Sequence, residues 1–267
     1  MQLLVDGKAV FVHSGGVDLD STRPAIVLIH GAGMDHSVWR YQARRLAAAG
    51  WAVAAPDLPG HGRSLGEPLQ SIAEMGGWVG RLIEELTLRQ PVVAGHSMGS
   101  LVALWVAARR EVCGVVLIGT SDHMQVHPDL LAAADRADHL AVDLITGWSH
   151  TGVTRFGGHP EPGSWKRGFT DRLLERHLDR VLAVDLHAVA AHDPVADARE
   201  VHVPVLAVLG TADRMTPARD GRELMANISA DTEVIEVARG SHLVFLEQPR
   251  EVTAAVVDWL ARRSPAS

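Results

Sequence analysis

The sequence has few of the residues that mark disulfide-stabilised proteins. It contains one cysteine, Cys113, among 267 residues, so no disulfide can form within the chain. Such cysteine usage is typical of proteins from a reducing compartment and predicts a cytoplasmic location. Cys113 lies in the apolar run Val112 to Ile118, which predicts a buried and unreactive thiol.

The sequence also lacks the features of nucleic-acid-binding and membrane proteins. Aromatic residues make up 4% of the chain, the formal net charge is −7, and no basic patch is interleaved with aromatics. These observations exclude nucleic acid as an expected partner. The first ten residues have no basic start followed by a long apolar region, so no signal peptide is expected. No uncharged apolar stretch is long enough to span a bilayer. The sequence does not indicate an oligomeric state.

What the sequence does contain is apolar residues, at 47%, arranged in short runs separated by turn residues. The segments Met1 to Val5 and Lys8 to His13 flank Asp6-Gly7, which predicts an opening hairpin. Six later segments predict further strands, and the first of them is a near-continuous apolar run of the kind that is buried on both faces of a sheet. They are Ala25 to Gly31, Trp51 to Ala55, Pro91 to Ala94, Val112 to Ile118, Val203 to Leu209 and Thr232 to Val237.

Helical patterns alternate with these strands. They cover Val38 to Ala49, Ser71 to Leu88, Ser97 to Arg110, Pro217 to Ile228 and Gln248 to Arg263. The second of these patterns is weakened by two adjacent glycines, Gly76 and Gly77. Alternating strands and helices imply right-handed crossovers and a mostly parallel sheet flanked by helices. We therefore predict a single α/β domain over residues 1–267.

The strand pattern is interrupted between about residues 122 and 193. Two helical stretches there flank a linker rich in glycine and proline, which predicts a helical cap inserted over one edge of the sheet. Trp148, Phe156 and Trp165 would give this cap an apolar character. The alternative is a helical layer that only stabilises the fold.

The segment Gly95-His96-Ser97-Met98-Gly99 carries the strongest chemical signal. It matches G-x-S-x-G, in which a serine occupies a tight turn between a strand and a helix. The glycines are needed because side chains there would collide with neighbouring backbone, and the side chain of His96 is expected to point away. A structural alternative is that Ser97 only caps the helix that follows.

A serine becomes a nucleophile only when an oriented base removes its proton. Asp213 follows the predicted strand Val203 to Leu209, and His242 follows the strand Thr232 to Val237. The chain order serine, aspartate, histidine is the order found with this type of turn. Asp122 is a rival for the acid, because it lies just after the strand Val112 to Ile118.

Five motifs in this order resemble those of the α/β-hydrolase fold superfamily, and the resemblance covers almost the whole chain. They are LIHGAG (28–33), DLPGHGRS (57–64), GHSMG (95–99), GTADRMTP (210–217) and GSHLVFLEQP (240–249). The resemblance implies the α/β-hydrolase fold with a helical cap, of the kind found in serine esterases and haloperoxidases. The chain also resembles epoxide hydrolases and haloalkane dehalogenases, but those enzymes carry aspartate at the position of Ser97.

The resemblance also implies a role for each site residue. Ser97 would be the nucleophile, His242 the general base and then acid, and Asp213 the carboxylate that orients the histidine. The backbone N–H groups of Ala32 and Met98 would form the oxyanion hole. Gly33 is a weaker candidate for the first of these two donors.

No cofactor or metal is expected. His123 and His127 have the spacing of two metal ligands on one helical face. Pro128 and the lack of a nearby third ligand favour solvated cap residues instead. The expected partner is a small-molecule substrate with an apolar acyl or alkyl group.

The leading functional interpretation is a serine hydrolase that cleaves a carboxylic ester, lactone or thioester through an acyl-enzyme. A cofactor-free haloperoxidase or perhydrolase, or a hydroxynitrile lyase, could use the same three residues. A third interpretation is a non-enzymatic receptor for a small molecule, because some members of the superfamily are sensors. Multiple turnovers of an ester would distinguish an enzyme from such a receptor.

Overall fold

Eight strands form one sheet in this computed structural model, which describes residues 1–155 and 165–263. In chain order they are β1 (Gln2–Val5), β2 (Lys8–His13), β3 (Ala25–Ile29), β4 (Ala52–Pro56), β5 (Val92–His96), β6 (Gly114–Ile118), β7 (Val205–Gly210) and β8 (Thr232–Val237). Their order across the sheet is β1-β2-β4-β3-β5-β6-β7-β8.

The first two strands run antiparallel to their neighbours, and β3 to β8 are parallel. Every residue of β3 to β7 is buried, which is why these strands are continuous apolar runs. The edge strand β8 alternates between exposed and more buried residues. The predicted hairpin and mostly parallel sheet are confirmed.

Twelve α-helices lie in the described part of the chain. They are α1 (Arg40–Ala48), α2 (Ile72–Glu85), α3 (Met98–Ala107), α4 (Pro128–Asp135), α5 (Leu140–Ser149), α6 (Gly152–Arg155), α7 (Lys166–Glu175), α8 (Leu182–Ala190), α9 (Pro194–Arg199), α10 (Ala218–Met225), α11 (Val244–Glu247) and α12 (Pro249–Ala261). A short 3₁₀ helix, His36–Trp39, precedes α1.

The sheet separates two apolar cores. Val93 of β5 belongs to the core that contains α2 and α3 side chains such as Leu82. Its neighbours Val92 and Ala94 belong to the opposite core, with Trp259 of α12. Side chains of a strand alternate between faces, so each apolar strand residue is covered by helices on one side or the other. This arrangement confirms the predicted flanking helices.

Only helices are found among the described residues between β6 and β7. Helices α4, α5, α7 and α8 share a third apolar cluster, and we call α4 to α8 the cap. The cluster contains Leu130, Ala133, Ala134, Ala141, Val142, Ile145, Leu174, Leu182 and Leu186. Phe156 lies outside the described residues. Trp165 is 62% exposed, so the expectation that its ring lines an apolar lid is wrong.

The prediction of a buried Cys113 is also wrong. Cys113 is exposed, and β6 begins one residue later, at Gly114. The Cys113 N–H donates to the Pro91 carbonyl at 3.2 Å, in the segment that leads into the strand. The apolar run in the sequence therefore begins before the sheet does.

No described helix has both the length and the apolar character needed to cross a membrane. The 14 residues of α2 span less than the hydrocarbon core, which takes about 20 residues.

The two adjacent glycines of α2 lie in different surroundings. A Cβ at Gly76 would collide with the indole of Trp105 on α3, whereas a Cβ at Gly77 would meet only the Arg81 guanidinium, at 3.7 Å. Gly76 therefore permits close packing of α2 on α3, and Gly77 has no such role. This contact explains why a glycine is present in the middle of a helix that begins with an ordinary Ser71 cap.

We expect the two alanine substitutions to have opposite effects. Gly77→Ala should raise the free energy of unfolding by up to about 1 kcal/mol, because alanine loses less backbone entropy in a helix. Gly76→Ala should lower it by about 1–3 kcal/mol through overpacking against Trp105. Urea denaturation followed by far-UV circular dichroism measures both values. Equal stability of the two variants would contradict the packing argument.

Candidate active site

The three predicted catalytic side chains follow three strands of the parallel part of the sheet. Ser97 comes directly after β5, Asp213 comes three residues after β7, and His242 follows β8. The carboxyl ends of parallel strands meet at one edge of a sheet, where ligands bind in folds of this kind. The sheet order therefore brings together residues that are far apart in sequence.

Ser97 has a strained backbone. Its φ is 52° and its ψ is −121°, a conformation that residues other than glycine rarely adopt. A Cβ at Gly95 would collide with the Gly99 carbonyl, and a Cβ at Gly99 would collide with the Ile29 carbonyl. The motif glycines therefore allow the turn to pack against β3. The Ser97 hydroxyl makes no capping hydrogen bond, so the structure gives no support to the helix-cap alternative.

Asp213 and His242 form a buried hydrogen-bonded pair. The distance from Asp213 Oδ2 to His242 Nδ1 is 2.9 Å, and both side chains are at most 3% exposed. Burial alone would raise the pKa of Asp213, but the charge and hydrogen bond of His242, with the bonds from Thr216, hold this pKa below its usual value. Asp213 is therefore an ionised acceptor. The rival Asp122 instead contacts His123, at 2.6 Å.

Thr216 is a site residue that the sequence reasoning missed. Its backbone N–H donates to Asp213 Oδ1 at 2.9 Å, and its hydroxyl donates to Asp213 Oδ2 at 2.8 Å. The N–H of Met215 adds a further bond at 2.8 Å. An aspartate that accepts from the backbone two and three residues later is a common turn, so the Asp-x-x-Thr spacing carried this signal. Thr216 holds the carboxylate in place beside His242.

A cavity of about 380 Å³ lies between the sheet edge and the cap. Ser97 and His242 both line it, together with the loop after β3. The cap and the segments next to it contribute an apolar wall made of Met124, Val126, Leu130, Ile145, Trp148, Leu186 and Val189. The cavity is thus lined by Ser97 and His242 on the sheet side and by a mainly apolar wall on the cap side.

The side chain of His96 was expected to point away from the site, but in the structure it packs against His242. Its ring lies 4.8 Å from the His242 ring, and its Nε2 lies 3.0 Å from the His242 carbonyl oxygen. Burial, with a smaller contribution from His242, holds the pKa of His96 well below its ordinary value. His96 is therefore a neutral imidazole that packs beneath His242.

The backbone donors predicted for the oxyanion hole differ in their hydrogen bonding. Ala32 lines the cavity beside Ser97, and Met98 begins helix α3. Among residues 1–155 and 165–263, neither the Ala32 N–H nor the Met98 N–H donates to a protein acceptor. The Gly33 N–H, by contrast, donates to Asp185 Oδ2 at 2.8 Å. Ala32 is therefore a better candidate donor than Gly33.

One group of three possible metal ligands is found in the described part of the chain: Asp35, His36 and Asp57. Asp57 accepts from the His36 backbone at 2.7 Å and from the Arg63 N–H at 2.9 Å, and Asp35 pairs with Arg176 at 2.9 Å. These bonds already satisfy the carboxylates, so the group ties loops together.

The chain is similar over most of its length to known esterases and lactonases. A family model described as the Alpha/beta hydrolase family matches residues 26–256. The chain is 31% identical over 252 residues to a pimeloyl-[acyl-carrier protein] methyl ester esterase of Aromatoleum aromaticum, with 88% of this chain and 98% of that protein covered. It is 26% identical to 3-oxoadipate enol-lactonase 1 of Acinetobacter baylyi, covering 92% and 90%.

The fold is also similar to that of a solved structure. The enol-lactonase from Burkholderia xenovorans LB400 superposes with a TM-score of 0.86 at 24% sequence identity. The superposition covers 98% of this chain and all of the other. The predicted membership of the α/β-hydrolase fold superfamily is confirmed. This chain belongs to the Alpha/beta hydrolase family and is an ester-cleaving hydrolase.

Proposed function

We propose that the chain hydrolyses carboxylic esters or lactones through an acyl-enzyme, with Ser97 as nucleophile, His242 as base and Asp213 as the orienting carboxylate. The observation that carries this proposal is the buried Asp213–His242 pair beside the cavity that Ser97 also lines. The strained backbone of Ser97 supports it, because such strain is concentrated at functional sites.

The proposed chemistry follows from the hydrogen bonds. Asp213 binds Nδ1 of His242, which leaves Nε2 to take the proton of Ser97 as its oxygen attacks the ester carbonyl carbon. The N–H groups of Ala32 and Met98 would bind the oxyanion that forms. His242 then protonates the leaving alkoxide, the carbon–oxygen bond breaks, and the acyl group stays on Ser97. Water then attacks the acyl carbon as His242 takes its proton, the bond from that carbon to the Ser97 oxygen breaks, and His242 returns the proton to Ser97 as the acid leaves.

The cavity favours a small or medium-sized substrate with an apolar group. The wall formed by the cap is apolar, and burying apolar surface there contributes roughly 25 cal/mol per Å². The names of the relatives, a methyl ester esterase and an enol-lactonase, support an ester bond in a linear or cyclic compound. We propose that the apolar group lies against the cap and that the ester lies at the sheet edge.

Removal of the Ser97 hydroxyl should abolish the reaction. We expect Ser97→Ala to lower kcat/KM for methyl and p-nitrophenyl esters by about 10⁴-fold or more, as for loss of a nucleophile. Ser100→Ala is the matched control. The Ser100 hydroxyl, in the first turn of helix α3, donates to the Ser97 carbonyl at 2.6 Å and does not line the cavity. This control should keep kcat/KM within about tenfold of the original.

Several results would change this assignment. A Ser97→Ala enzyme that keeps most of its activity would show that another group is the nucleophile. Bromination that requires peroxide and proceeds faster than hydrolysis would favour a perhydrolase. A single slow turnover per protein molecule would favour a receptor. Rapid mixing of excess p-nitrophenyl ester with the enzyme measures the burst and the later turnovers together.

A larger side chain in the apolar wall should change the preferred chain length. Val126 is half-buried and lines the cavity, so Val126→Trp should fill part of it. We expect the ratio of kcat/KM for octanoate and acetate esters to fall by about tenfold, equivalent to about 1.4 kcal/mol. Val234→Trp, on the outer strand β8, is the control and should leave the ratio unchanged. An unchanged ratio in Val126→Trp would place the acyl chain elsewhere.

A further inference from the structure

Two side chains of the cap hold the peptide groups on either side of Gly33. Asp185 of α8 accepts from the Gly33 N–H at 2.8 Å. His177, between α7 and α8, has its Nδ1 3.0 Å from the Gly33 carbonyl oxygen. Gly33 directly follows Ala32, which the proposed mechanism uses as an oxyanion donor. The loop after β3 is thus fixed from the cap as well as from the sheet.

The packing around Gly33 leaves no room for a side chain. Its φ is +64°, and a Cβ there would lie 2.8 Å from Leu182 Cδ1 and 3.1 Å from Leu174 Cδ2. Both leucines belong to the apolar cluster of the cap. The cap therefore rests directly on this glycine, and the two hydrogen bonds are shielded from water.

The carboxylate of Asp185 also binds a second loop. The same Oδ2 lies 2.9 Å from His61 Nε2, and the other ring nitrogen of His61 lies 3.0 Å from the Pro59 carbonyl. Burial lowers the pKa of His61, but the Asp185 charge and the hydrogen bonds outweigh it, so this pKa is raised. Both ring nitrogens face acceptors, which is the arrangement expected of an imidazolium. Asp185 and His61 thus form a buried ion pair.

Two neighbouring histidines, His177 and His30, are neutral, because burial and the charge of His61 both lower their pKa values. His177 accepts from the Gly62 N–H at Nε2 (2.9 Å), and burial with the nearby charge of His61 lowers its pKa. Burial and His61 also lower the pKa of His30, to about 4. One positive charge is therefore present in this cluster, and Asp185 is its direct partner.

We propose that Asp185 is a positioning residue that holds the loop after β3 so that the Ala32 N–H points into the oxyanion hole. The inference rests on the proposed function for its catalytic consequence. The other side of Ala32 is held by the fold itself, since the Gly31 carbonyl lies 3.2 Å from the Met34 N–H and 2.9 Å from His30 Nδ1. Ala32 thus lies between two fixed peptide groups of the loop. One of them is anchored by Asp185 of the cap.

A loop that loses one anchor should bind the oxyanion less well but the substrate nearly as well. We expect Asp185→Leu to lower kcat by about 10- to 100-fold, less than the loss of a whole donor. KM should change by less than about threefold, because the oxyanion forms only in the transition state. Asp185→Asn keeps an oxygen that can accept from Gly33, so it should recover kcat to within about fivefold of the original.

Asp197→Leu is the matched control. Asp197 is another buried carboxylate, in α9, and pairs with Arg109 at 2.6 Å and His192 at 2.9 Å, but it does not line the cavity. This variant loses the ion pair between the buried Asp197 carboxylate and the half-exposed Arg109, so its free energy of unfolding should fall without a change in kcat. If Asp185→Leu does not fold, Asp185→Ala makes the same test, because it also removes the acceptor of the Gly33 N–H.

Amide hydrogen exchange reads the loop without depending on turnover. The Gly33 N–H should exchange at least about tenfold faster in Asp185→Leu than in the original protein or in Asp197→Leu. Unchanged exchange at Gly33, or a kcat within about twofold of the original in Asp185→Leu, would overturn the proposal. A wild-type protein that turns over no ester would contradict the proposed function, and the exchange experiment would still decide whether Asp185 holds the loop.

Discussion

The close packing of the turn at Ser97 against the end of β3 is the contact on which the rest of the site depends. A Cβ at Gly99 would collide with the backbone of Ile29, so helix α3 can begin here only because that position is glycine. This contact brings the first N–H of α3 next to the loop that carries Ala32. In the same turn Ser97 has a positive φ. This backbone conformation directs the Ser97 side chain away from the sheet and into the cavity.

The same loop connects the sheet edge to the cap. Gly33 accepts one hydrogen bond from the cap and donates one to it, and the Asp185–His61 pair links the cap to the loop after β4. A buried ion pair costs desolvation energy, and this cost is offset only when the geometry is good and further hydrogen bonds are made. The backbone bonds to Asp185 and His61 are such further bonds. The cap thus holds the loop after β3 in addition to lining the cavity.

The sequence was sufficient to predict the sheet, the order of its elements and the positions of Ser97, Asp213 and His242 after strands β5, β7 and β8. The motifs around Ser97 and Asp213 follow the buried apolar strands β5 and β7, and the motif around His242 follows the alternating edge strand β8. Packing across long sequence separations could not be predicted, because one residue's neighbours depend on the whole fold. His96 beneath His242, 146 residues away, and Asp185 beside Gly33 are examples. The exposed Cys113 shows the reverse error, since an apolar run does not mark where a strand begins.

The buried histidines His96 and His61 affect the electrostatics of the proposed base, His242, in different ways. A general base must gain a positive charge during the reaction, and a second cation next to it would oppose that change. His96 touches the His242 ring but is held neutral by burial, so it fills the space beneath the base without repelling the charge that forms. The buried His61 cation is paired with Asp185, whereas Asp213 remains ionised beside His242. The fold therefore places the Asp213 carboxylate beside the proposed base. It pairs the buried His61 cation with a different carboxylate, Asp185.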